Sequence, residues 1–196
     1  MSAAAPSPVA SSRLRAVAPL LAVATGLALA GCADPNTFAP ACPGLRLLPE
    51  GADLTRFNGN GRDLTDLVFQ ARLDGVPPST GSCKWVDKTH TRVAVTMQVA
   101  MTAMRGPAMA GRSSMLPYFV AVGEGPGGHQ ILDRQEYATK ITFPDNVDRT
   151  SVVSAPLTLQ LPVSREKSAA AYTVWVSLQL TPDELTYNRT HARPGN

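Results

Sequence analysis

Arginines set in loops are the residues of this chain that come nearest to a functional pattern. Arg62-Asp63, Arg105 and Arg112 lie in stretches rich in Gly, Pro and Ala. Guanidinium groups there either bridge loops through carboxylates or present a surface to a ligand or partner. Together they form the candidate interaction surface. Other chemistries are less well supplied. His90, His129 and His191 lie apart in the sequence, none in a metal-ligand spacing. Thioethers are soft ligands for copper, and Met104 and Met109 form the pair that offers them. Met97 and Met101 share a strand face with Val95 and Val99, so packing explains them. Gly123 to Gly128 carries glycines, but no Lys-Ser/Thr follows to make a phosphate cradle, and a hairpin turn is expected. Asp145-Asn146-Val147-Asp148 lacks the central Gly and distal Glu of a calcium loop. No Gly-x-Ser-x-Gly occurs, and Ser113-Ser114 has no partner base. Paired carboxylates for glycoside work stay open, with Asp63, Asp66, Asp183 and Glu184 as the acids of interest. No catalytic residue, metal ligand or cofactor site is assigned.

The thiols are more informative. Leu29-Ala30-Gly31-Cys32 ends an apolar run from Ala16 to Ala30, behind Arg13 and Arg15. The run spans about 15 residues, a signal-peptide core rather than the roughly 20 needed to cross a bilayer. Its last four residues resemble the lipobox of bacterial lipoproteins. That resemblance implies a diacylglycerol on the Cys32 sulfur and cleavage that leaves Cys32 first. Residues 1–31 are then a lipoprotein signal peptide, 32–41 the lipidated cysteine with a short linker, and 42–196 one domain. Arg13 and Arg15 are separated by Leu14, so no twin-arginine pair supports export in the folded state. With Cys32 occupied, Cys42 and Cys83 remain as an even pair in an oxidising compartment, and a disulfide between them is expected.

Removing the signal takes two arginines and no acid, so the formal charge falls from +3 to about +1. No clustered basic face is left for nucleic acid. With 44% hydrophobic and 17% charged residues, the composition is that of a folded chain. The linker residues 33–41 extend at most about 30 Å, which holds the domain close to the anchoring surface.

The elements that must position these side chains read as strands. Apolar residues alternate through Leu67 to Ala71 and, over the longest span, from Val93 to Met101. They alternate again through Tyr137 to Phe143, Leu157 to Val163 and Tyr172 to Leu180. Pro117 implies an edge position or bulge near the start of Met115 to Val122. Thr181-Pro182-Asp183-Glu184 is a helix start, with a capping threonine, a first-turn proline and the glutamate of a capping box. Roughly eight or nine short strands with almost no helix point to an all-β fold. The architecture expected is an antiparallel, immunoglobulin-like β-sandwich with a short C-terminal helix.

Several blocks of the sequence carry a second resemblance. Leu54-Thr55-Arg56-Phe57, Gly61-Arg62-Asp63-Leu64-Thr65-Asp66 and Arg105-Gly106-Pro107-Ala108 are three of them. Pro117 to Val122 and Leu180 to Leu185 are two more. They resemble a group of uncharacterised lipid-anchored envelope lipoproteins of diderm bacteria. The resemblance implies an envelope location and brings no activity. The expected function is a non-enzymatic, lipid-anchored binding or assembly module facing the periplasm, with another envelope protein as partner. Ala33 after Cys32 favours the outer over the inner membrane. The alternatives are a hydrolase acting on envelope glycan or lipid and methionine-based copper handling.

Overall fold

A computed structural model describes residues 38–191. The signal segment and Cys32 lie outside the described residues. The first strands are β1 (Gly44–Leu47), β2 (Asp53–Phe57), β3 (Leu67–Gly75) and β4 (Ser82–Trp85). Next come β5 (Arg92–Met97), β6 (Ala100–Arg105), β7 (Ser113–Glu124) and β8 (Gln130–Thr142). The described residues end with β9 (Arg149–Val153), β10 (Leu157–Pro162), β11 (Tyr172–Leu178) and the helix α1 (Pro182–His191). All pairings are antiparallel except β1 with β11.

Among the described residues three sheets form, in the orders β1-β11-β7-β8, β10-β5-β4 and β2-β3-β6-β9. The last two are halves of one bent sheet. The alternation from Val93 to Ala103 continues unbroken across Gln98–Val99, with every second residue buried. The hydrogen-bonding partners nevertheless change there: β5 pairs with β10, and β6 with β9. The strand opposite bends at the same level, between Val153 and Leu157. Ser154 holds the double bend. Its hydroxyl accepts from Val99 N at 2.9 Å, its backbone N donates to Val99 O at 2.9 Å, and its carbonyl accepts from the Gln98 amide at 2.8 Å. A continuous period of two in the sequence therefore covers two strands. Side-chain alternation reports burial and is silent about which strand lies alongside.

The bent sheet packs on the β1-β11-β7-β8 sheet to give an all-β, sandwich-like fold. Leu116, Tyr118, Val120 and Val122 of β7 and Val174, Val176 and Leu178 of β11 join one cluster with Phe69, Met97, Met101 and Leu159. Each such aliphatic side chain contributes about 1.5–3 kcal/mol by leaving water. Pro117 sits in an interior strand, not at an edge. Its carbonyl accepts from Gln179 N at 3.0 Å, just past Leu178, where β11 ends. The missing N–H therefore falls where the neighbouring ladder is already closing. Cys42 and Cys83 are joined by a disulfide, as the cysteine count predicts. It fastens the approach to β1 onto β4, beside a second tie in which Trp85 Nε1 donates to Phe38 O at 3.1 Å.

Residues 125–129 form the tight connection of the β7–β8 hairpin, with Gly123 still paired in β7. Gly128 has φ +70°, and a Cβ there would stand 2.5 Å from that of Thr173. Glycine lets the turn fold back onto β11, where Gly128 O accepts from Trp175 Nε1 at 3.1 Å. Thr181 and Glu184 close the capping box that starts α1. Thr181 N donates to Glu184 Oε2 at 2.8 Å and Glu184 N to Thr181 Oγ1 at 3.2 Å.

Candidate functional site

The β2-β3-β6-β9 half of the bent sheet buries Leu54, Phe69, Ala71, Leu73, Met101 and Ala103 on its inner face. The opposite phase of the same strands is mostly polar. Asp53, Arg72, Thr102 and Ser151 are cross-strand neighbours in one row, and Thr55, Gln70, Met104 and Arg149 in the next. The helix α1 and the Pro49–Glu50 turn wall this face on the β2 side. The result is a groove of about 980 Å³ whose wall includes Tyr187, Asn188, Arg189 and His191.

The wall is held by polar contacts, because α1 lacks an apolar stripe. The Asn188 side-chain amide donates to Glu50 O at 3.0 Å and Asp53 O at 2.7 Å. Arg189 meets Glu50 with contacts of 2.8 and 3.3 Å. Tyr187 packs edge-on against Phe57 at 5.2 Å and stacks on His191 at 4.0 Å between centroids. Near the helix start, the buried Glu184 accepts from Arg56 Nε at 2.8 Å.

The floor carries charges that are mostly matched. Arg72 forms a two-point pair with Asp53, at 2.8 and 3.3 Å. The Thr102 hydroxyl donates to Asp74 at 2.7 Å and lies 3.0 Å from that of Ser151. Arg149 has no ion-pair partner among the described residues. The Arg189 hydrogen bond holds the Glu50 carboxyl below its ordinary range. A carboxyl shifted that way stays ionised at neutral pH and is a poor general acid. Such a surface offers donors, acceptors and a free guanidinium over two rows, the equipment of recognition.

Arg62, Asp63, Arg105 and Arg112 fall in different settings. Arg62 Nη1 donates to Gly61 O at 2.7 Å, and its guanidinium lies over Phe57 at 5.3 Å. Asp63 stands at the N-cap position of the short 3-10 turn Leu64–Asp66, where its backbone N donates to Asp66 Oδ2 at 3.4 Å. Arg105 and Arg112 are brought to one place, where they lace two loops together. Arg105 donates to Met109 O at 3.1 Å and Gly111 O at 3.2 Å, with Asp148 at 3.9 Å. Arg112 donates to Phe143 O at 2.9 Å, Val147 O at 3.1 Å and Pro144 O, with Asp145 at 3.4 Å. Asp145 and Asp148 thus face guanidinium groups. Backbone carbonyls occupy most of the donors of these two arginines. The methionine pair is split: Met104 lines the groove, while Met109 is buried in the core. Among the described residues no three His, Cys, Asp or Glu side chains converge as a metal site.

The groove residues have no local signature in the sequence. Their shared signal is the polar phase of strands whose apolar phase is plain. Grouping them needs the pairing of residues 53–57, 67–75, 100–105 and 149–153, which alternation does not encode. Comparison with known proteins returned no matching family model, no matching curated protein and no matching solved structure.

Proposed function

We propose that the protein is a lipid-anchored module of the cell envelope that faces the periplasm and binds a partner there. The sequence supports the location, through the Leu29-Ala30-Gly31-Cys32 segment and the short linker behind it. The outer membrane is the favoured address, from Ala33 after Cys32. The observation that carries the binding role is the groove over β2-β3-β6-β9, walled by α1 and floored by two rows of mostly polar side chains. Area of this kind, polar with a small apolar content from Met104 and Tyr187, suits another protein of the envelope.

Affinity capture from detergent-solubilised envelopes tests the role. Ser151 is exposed on the groove floor, so Ser151→Trp fills the groove without touching the core. The wild type is expected to retain a discrete partner that the variant loses. Equal capture by both, or turnover of envelope glycan by the purified protein, contradicts the proposal.

A further inference from the structure

Among the described residues β8 is the longest strand, and it lies at the edge of its sheet. Its first seven residues, Gln130–Glu136, are exposed. Ile131 and Leu132 show 53% and 46% of their surface to solvent. No strand pairs with the outer edge of β8 among the described residues. Such an edge recruits another strand unless proline, lysine or an inward-pointing charge blocks it. β8 has no proline, and its single lysine, Lys140, lies near the far end. Its inward charge, Asp133, is absorbed along the strand. The Gln135 amide donates to Asp133 Oδ2 at 3.0 Å, and Tyr137 OH to Gln135 Oε1 at 2.7 Å.

The other face carries Arg134 and Glu136, 2.8 Å apart, with Arg134 also over the Phe119 ring at 4.2 Å. These two charges flank Gln135. A two-fold axis through Gln135 sets Arg134 of one copy opposite Glu136 of the other, twice over. Moving the axis to Arg134 or to Glu136 sets a charge against its own kind. Opposite charges directly across a strand pair stabilise it, and like charges destabilise it. The strand is thus self-complementary in one register and repulsive in the registers centred on either neighbour.

We propose that two copies of this chain pair antiparallel through β8 about Gln135. The β1-β11-β7-β8 sheets then join into one continuous sheet. Closed two-fold contacts of this kind use the same surface on both subunits.

Light scattering on the purified full-length protein, with charge-reversed variants, tests the pairing. The wild type is expected to be a dimer. Arg134→Glu places Glu opposite Glu, and Glu136→Arg places Arg opposite Arg. Each variant alone should weaken dimerisation on the order of tenfold. An equimolar mixture of the two restores opposite charges at both contacts and is expected to form a mixed dimer. The double variant Arg134→Glu/Glu136→Arg restores them within one chain and should again be dimeric. A wild type that stays monomeric at every concentration overturns the proposal. So do single variants that dimerise as well as the wild type, or a mixture that fails to associate.

Discussion

Ser154 and Glu184 show how much of this fold rests on polar side chains that are almost fully enclosed. Ser154, 1% exposed, satisfies Val99 N and donates to Ala155 O at 3.0 Å. Removing its hydroxyl leaves a buried N–H without a partner at the bend. Ser154→Ala is therefore expected to cost about 1–3 kcal/mol in urea unfolding. An unchanged midpoint would mean that the bend does not depend on it. Glu184 joins Arg56 to the start of α1 and accepts from Thr181 N. Glu184→Ala is expected to cost about 2 kcal/mol, since it removes the acceptor of Thr181 N and leaves Arg56 unpaired over the Phe69 ring. Arg56→Ala in the same background should then add little, which a double-mutant cycle will show. At this scale the sequence was partly legible. The Thr181-Pro182-Asp183-Glu184 spacing announces its own local hydrogen bonds, whereas the partner of Glu184 lies 128 residues away in the chain.

Elements whose contacts are mainly polar respond to pH and redox conditions. Glu50 has its pKa lowered from 4.5, chiefly by the hydrogen bond from Arg189. A folded-state pKa below the unfolded one gives stability that is present above the unfolded value. It is lost as pH falls through the folded value. The outer end of α1 should therefore loosen in acid below about pH 4.5, and its amides should exchange faster there before the sheets open. Glu50→Gln is expected to remove this pH dependence. Uniform exchange across α1 and β7 would show that the pair does not govern docking. The Cys42–Cys83 bridge encloses a sequence separation of 41 residues. Its reduction is expected to cost up to about 4 kcal/mol by chain entropy, read as a lower unfolding midpoint with dithiothreitol. The disulfide was legible because a count of three cysteines, less the one at the lipobox-like segment, leaves a single pairing. The split between β5 and β6 was not, because burial alternates through the bend without a break.

The whole molecule presents a bent sheet whose outer surface is the groove and a second sheet whose β8 edge is open among the described residues. Alternation of apolar residues was enough to name an all-β sandwich-like fold, and the Thr181-to-Glu184 capping pattern its C-terminal helix. It was not enough to locate the groove, whose floor combines residues from Asp53 to Ser151. Nor did loop composition identify what Arg105 and Arg112 do, since their partners are backbone carbonyls. The groove's role as the binding surface is tested most directly by site-specific photo-crosslinking in intact cells. A photoreactive residue is placed at Met104 or Arg149 in the groove, and at exposed Arg165 as the comparison. A discrete adduct is expected from both groove positions and none of that size from Arg165. The same adducts from all three positions, or adducts from Arg165 alone, would contradict it.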